Sequence, residues 1–197
     1  MTVIASLTPN QIAGLSTTAI AGLSTTDIQS LSTSQVAALT ATQVNVLNTT
    51  DIQAFYTTQV AALSATTISA LLTLQIQNFL ATQIGSLTST QVSKLTSAEI
   101  SAFTTTELQN LSTTQAGALT ATQVGSLSTT VLNNLTTTQI GALSTTQVQG
   151  LTTTQLNGIN TTSLDALSVA KLSTTQVAGL STTSVAALTA TQVSNLT

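Results

Sequence analysis

The sequence predicts an all-α solenoid of very short, capped helices, one helix per octapeptide. Three observations predict it: an unbroken eight-residue period, a helix-start signature in one fixed register, and a lone proline where a helix tolerates it. From Leu7 to Ala166 one unit is written twenty times without a slip. Its consensus is L-[S/T]-T-T-Q-[V/I]-x-[A/G/S/N], as in Leu143-Ser144-Thr145-Thr146-Gln147-Val148-Gln149-Gly150.

With the leucine as position 1, positions 2 to 5 read Ser/Thr-Thr-Thr-Gln, which is a capping box. The hydroxyl at position 2 can accept from the N–H of position 5, and the glutamine can reach back to the N–H of position 2. The apolar residues at positions 1 and 6 then fall where a hydrophobic staple forms. Pro9, the only proline, sits at position 3, the first helical residue, where its missing N–H costs nothing. Asp27, Asp51, Glu99 and Glu107 replace the glutamine in the first turn, where the helix dipole favours negative charge. Tyr56, Leu72 and Leu80 at position 2, and Ala19, Thr67, Val131, Ser163 and Ser184 at position 5, depart from the pattern. Their helices are expected to be less well capped. Position 8 is small or turn-forming (Gly14, Gly22, Gly150, Gly158), as the end of a short helix requires.

The alternative is a β-solenoid, because Thr, Val and Ile favour strands. Strand alternation needs apolar residues an even number apart, and here the gaps alternate between five and three. That spacing favours helices.

Such short helices are unstable alone and must stack on their neighbours. Phe55, Phe79 and Phe103, the only phenylalanines, all occupy position 1 and lie 24 residues apart. Asp27, Asp51 and Glu99 keep the same phase. Three octads per coil would put each set on one corner, whereas two would scatter them. The expected organisation is a single repeat solenoid over residues 1–197, with octads 7–166, a five-residue phase break 167–171, and octads 172–195. The stretch Ser163–Lys171 lacks a capping signal at its middle and is expected to run through as one helix.

Composition excludes several functions. Seven charged residues give a net charge of −3, and Lys94 and Lys171 cannot make a nucleic-acid footprint. No apolar run is long enough to span a membrane. With no His, no Cys and five scattered acids, no metal, cofactor or acid/base site is expected, and the many hydroxyls have no activating base. The chain is not expected to be an enzyme. Met1–Ser6 lacks the basic and apolar regions of a signal peptide, which argues against ordinary export by that route.

The opening Leu7-Thr8-Pro9-Asn10-Gln11-Ile12 is similar to the start of a TAL-effector repeat, but the 34-residue period and base-reading loop are missing. Over residues 7–195 the array resembles the L-[S/T]-x-x-Q-[V/I]-x-x octapeptide tracts of very large secreted or surface-attached bacterial proteins. That resemblance implies a stalk or fibre outside the cell or on its surface.

The expected function is therefore structural: a rod, stalk or end-to-end filament. The terminal octads are as apolar as internal ones, whereas monomeric solenoids need polar caps. Ile12, Leu15, Leu188, Val193 and Leu196 are the candidate self-association residues, expected to be exposed and to join copies head to tail. The alternative is a binding module whose threonine ladders meet ice or a polysaccharide, a surface ligand the sequence does not name.

Overall fold

The computed structural model describes residues 3–195, which fall into two compact units, Met1–Ala102 and Phe103–Thr197. The first unit opens on a 3₁₀ turn, η1 (Val3–Ser6), followed by α1 (Pro9–Ala13), α2 (Thr17–Ala21), α3 (Thr25–Ser30) and α4 (Thr33–Ala37). It continues with α5 (Ala41–Val44), α6 (Thr49–Ala54), α7 (Thr57–Ala62) and α8 (Ala65–Ser69). Its last helices are α9 (Thr73–Gln77), α10 (Ala81–Gly85), α11 (Ser89–Lys94) and α12 (Ser97–Ser101). The second unit holds α13 (Thr105–Asn110), α14 (Thr113–Gly117), α15 (Ala121–Ser126), α16 (Thr129–Asn134), α17 (Thr137–Gly141) and α18 (Thr145–Gly150). There follow α19 (Thr153–Gly158), α20 (Thr161–Ala166), the 3₁₀ turn η2 (Val169–Lys171), α21 (Thr174–Ala178), α22 (Thr182–Ala186) and α23 (Ala190–Ser194). No strand occurs among the described residues, so the β-solenoid is excluded.

Each octad folds as its capping signature dictates. In α1, Thr8 Oγ1 accepts from the Gln11 N–H at 3.2 Å, Gln11 Oε1 accepts from the Thr8 N–H at 2.8 Å, and Pro9 follows the cap. The helix then runs for four to six residues and stops. The stop needs no left-handed residue, for no φ among the described residues is positive. The corner is turned instead by extended backbone at position 1, as at Leu31 (φ −65°, ψ 133°). Small residues at position 8 therefore answer to packing. In the second unit a Cβ on Gly150 would lie 2.6 Å from the carbonyl oxygen of Ala121, and one on Gly125, at position 7, would collide with that of Gly150. α15 and α18 approach so closely that only glycine fits between them.

Helices pack on partners three octads away. In the first unit α1 meets α4, α4 meets α7 and α7 meets α10, while α2, α5, α8 and α11 stack in the same way. In the second unit α14 meets α17, α17 meets α20, and α15 meets α18. A coil thus holds three octads and 24 residues, as the phenylalanine phasing implied. Inside each unit the core is a column of position 6 and position 1 side chains. Ile28, Val36, Val44, Ile52, Val60, Ile68 and Ile100 have no exposed surface, and Phe55, Phe79 and Phe103 are buried. Position 4 faces outward, as at Thr18, Thr42, Thr66 and Thr90.

The phase break is not one continuous helix. α20 ends at Ala166, Leu167 is extended (φ −73°, ψ 129°), and η2 begins at Val169. The five residues are an octad cut after position 5: Leu167 is position 1 and Lys171 is position 5. η2 packs on α18, where a full helix would otherwise stack. Val169 joins Leu164 and Leu188 in the local core, so the shortened unit still contributes apolar surface.

Candidate functional site

The recurring polar feature of each unit is a seam of buried glutamines. Position 5 performs a second task that its capping role does not reveal. While Gln59 Oε1 accepts from the Tyr56 N–H at 2.7 Å, its Nε2 donates to the carbonyls of Ile28 and Leu31, both at 2.8 Å. Those acceptors lie in the preceding coil, 31 and 28 residues back. Gln35, Gln43, Gln75, Gln83 and Gln91 donate to position 1 carbonyls in the same way within the first unit. Gln139, Gln147 and Gln155 repeat it in the second. One primary amide thus satisfies a helix N-terminus with its oxygen and ties two coils together with its nitrogen. Buried at a few per cent exposure, it replaces water for every group it touches.

Lys171 holds that place in the shortened unit. Its Nζ donates to the Leu143 carbonyl at 2.5 Å, again 28 residues back, and reaches the Gly141 carbonyl at 3.4 Å. The seam therefore crosses the break. Gln176 resumes it in the next unit, five residues on, donating to the carbonyls of Val148 and Leu151.

Three helices with defective boxes, α9, α20 and α22, are repaired from the coil below. Leu72 has no hydroxyl to cap α9, and its N–H donates instead to Asn45 Oδ1 at 3.0 Å. Ser163 and Ser184 are too short to reach their N-cap N–H groups. Asn133 Oδ1 accepts from Asn160 and Asn157 Oδ1 from Ser181, each at 2.8 Å. Each of these asparagines is at position 7, and its amide nitrogen donates to a nearby carbonyl in the same coil as the cap it repairs. At Tyr56 and Leu80 the glutamine half of the box survives (2.7 and 2.8 Å). At these five helices the local capping residue departs from the pattern, yet the N-cap N–H keeps a partner.

The candidate self-association residues separate into three groups. Ile12, expected to be exposed, is completely buried. Position 6 side chains of the first coil lean into the coil that follows, as do Ile20 and Ile28. The open apolar surface at that end is made by Leu7, Leu15 and Leu23, all half-buried, beside Val3 and Ile4. Leu188 is also buried, at 9% exposure, against Leu164 and Val169. At this end the open residues are the position 6 valines, Val185 and Val193, which are 45% and 46% exposed. Leu196 lies outside the described residues. One end therefore presents leucines from position 1, and the other presents valines from position 6. Sequence reasoning named both positions but could not tell which way each leans along the stack.

Among the described residues no three His, Cys, Asp or Glu side chains converge on a point that could hold a metal ion. No helix of the described residues is long and apolar enough to cross a membrane. The repeat matches the family model of the ALTTAQ repeat over residues 4–41, 20–49, 94–129 and 125–157, together more than half of the chain. No curated protein shows significant similarity to the chain.

Proposed function

From its membership of the ALTTAQ repeat family, we propose that this chain is a structural rod or stalk, built to hold distance and to join copies head to tail. The complementarity of the two end faces carries the reading. Inside each unit a coil rests its position 6 side chains against the position 1 side chains of the next. Val185 and Val193 of one copy and Leu7, Leu15 and Leu23 of another repeat that arrangement.

The polar chemistry favours the same direction. Seam amides donate toward the preceding coil, so the first coil offers Gln11, exposed, as a donor, and the last coil offers backbone carbonyls. Two last coils would set acceptor against acceptor, which disfavours tail-to-tail pairing. Head-to-tail contacts do not close on themselves, so they give filaments. The place of action is outside the cell or on a bacterial surface, a reading supported by the resemblance to secreted and surface-attached octapeptide tracts. No catalytic chemistry is part of this proposal.

Light scattering and negative-stain microscopy of the purified chain test it. Filaments or length-doubled particles are expected at high concentration, and added salt should leave an apolar contact intact. Leu15→Lys together with Val193→Lys should give separate short particles. A wild-type chain that stays monomeric at high concentration ends the filament reading and leaves a plain spacer.

A second reading rests on the outward column Thr18, Thr42, Thr66 and Thr90, one threonine per coil in the first unit. Such an uncharged face would suit ice or a polysaccharide. Thermal hysteresis at micromolar protein would favour it over the scaffold.

A further inference from the structure

Position 5 must accept from the helix N-terminus and donate to the preceding coil, and an ionised carboxylate can only accept. Glu99 stands at that position on α12, with 2% of its surface exposed. One carboxyl oxygen accepts from the Thr96 N–H at 2.5 Å, just as a glutamine oxygen would. The register that carries Gln83 to Ile52 and Phe55, and Gln91 to Val60 and Leu63, carries Glu99 to the carbonyls of Ile68 and Leu71. Those carbonyls lie at the junction of α8 and α9, and α12 packs on α9. A charged Glu99 would set negative oxygen against negative oxygen there, in a site with little water to screen it.

We propose that Glu99 is a proton-operated latch between the coils of α9 and α12. When it takes a proton from solvent, the carboxyl O–H donates to the Leu71 carbonyl and closes the seam as an amide does elsewhere. When it releases the proton, that bond is lost and the two coils part locally. Burial holds the Glu99 carboxyl above the ordinary carboxylate range, against the opposing pull of its hydrogen bonds to Thr96, and no positive charge offsets the burial.

The surrounding charges are few. α9 carries no titratable side chain. Of the neighbouring helices in the chain, α11 brings Lys94, which is exposed, and α13 brings Glu107, a second buried position 5 carboxyl that accepts from the Thr104 N–H. The remaining charged residues are Asp27, Asp51, Asp165 and Lys171, on α3, α6, α20 and η2.

The sign follows from linkage. A carboxyl whose pKa is higher in the folded chain than in the unfolded one stabilises most at acid pH. It loses that contribution as pH rises through the folded value. Acid therefore tightens the seam and alkali loosens it, the reverse of the usual carboxylate effect.

The test compares melting temperature against pH for the full chain, Glu99→Gln, and Asp165→Asn as an exposed control. Wild type and Asp165→Asn should melt lower as pH climbs above the ordinary carboxylate range. Glu99→Gln should stay level and melt higher than wild type at neutral pH. Amide exchange in residues 68–76, taken as the ratio of wild type to Glu99→Gln at each pH, should rise with pH. Parallel pH profiles for wild type and Glu99→Gln would overturn the latch. So would failure of Glu99→Gln to fold, because glutamine is the seam's own residue. A third overturning result is the absence, in mild acid, of an infrared carboxylic-acid band that Glu99→Gln removes.

Discussion

Lys171 Nζ and the Leu143 carbonyl stand 2.5 Å apart, in the place where a glutamine amide meets a leucine carbonyl in the intact octads. A flexible cation thus substitutes for a planar amide because the seam needs a donor, and Lys supplies three. Leu167-Ser168-Val169-Ala170-Lys171 loses positions 6 to 8 of an octad yet keeps the residue that ties it to the corner between α17 and α18.

Replacing Lys171 tests which property matters. Lys171→Gln restores the usual donor and should change stability by no more than about 0.5 kcal/mol. Lys171→Met keeps the length but removes the donor, leaving the Leu143 carbonyl without a partner, and should cost about 1–2 kcal/mol. Urea denaturation of both variants decides it. Equal stabilities would mean that the contact contributes nothing to holding the coils.

Much of the architecture was legible in the octad itself. The capping box, the staple spacing and Pro9 are local signals, and local signals survive in a sequence without a partner in view. The 24-residue coil was legible because Phe55 and Phe79 mark one corner. The second bond of each glutamine was not, because its acceptor lies 28 residues away and any carbonyl will serve. A backbone acceptor leaves no trace in the sequence. The burial of Ile12 and the exposure of Val193 depend on how side chains lean along the stack, which the periodicity does not encode. Lys171 could have been found by aligning the broken unit from its leucine, which places it at position 5.

Two glutamines separate the capping role from the seam role. Gln59 makes both kinds of bond, while Gln11, in the first coil, accepts from the Thr8 N–H and is exposed. Gln11→Leu should cost about 0.5–1 kcal/mol, the value of a cap. Gln59→Leu also strands the carbonyl of Leu31 in a dry site, while that of Ile28 keeps the Leu31 N–H, and should cost about 2–3 kcal/mol. Chemical denaturation of the two variants gives the difference, which measures the seam. Matching losses would show that the amide bridge adds nothing beyond the cap.

Gly150 tests the closeness of coils in the second unit. A methyl there would meet the Ala121 carbonyl oxygen at 2.6 Å and the Ala121 Cβ at 2.9 Å, and backbone cannot step aside as a side chain can. Although alanine is the better helix former, Gly150→Ala should destabilise by about 1–3 kcal/mol through overpacking. Gly117→Ala, where the added Cβ would meet nothing within 4 Å, should be neutral or mildly stabilising. Thermal melts of both compare propensity with packing directly. A gain in both would mean that α15 and α18 have room to separate.

The inside and outside of a coil can be told apart by placing the same charge on each. Ile100 at position 6 is completely buried, and Thr105 at position 3 is exposed at the start of α13. Ile100→Asp buries a carboxylate with no partner and should cost several kcal/mol, enough to unfold neighbouring coils. Thr105→Asp adds negative charge to a first helical turn facing water, where the effect is neutral or slightly favourable. Circular dichroism should therefore show a helical spectrum for wild type and Thr105→Asp, and a loss of helix for Ile100→Asp. Because helices of five or six residues hold only by stacking, the loss should exceed the one octad that carries the change. A decrease confined to a single helix would mean that coils fold independently, and equal damage from both variants would mean that the core column is not the element holding the stack together.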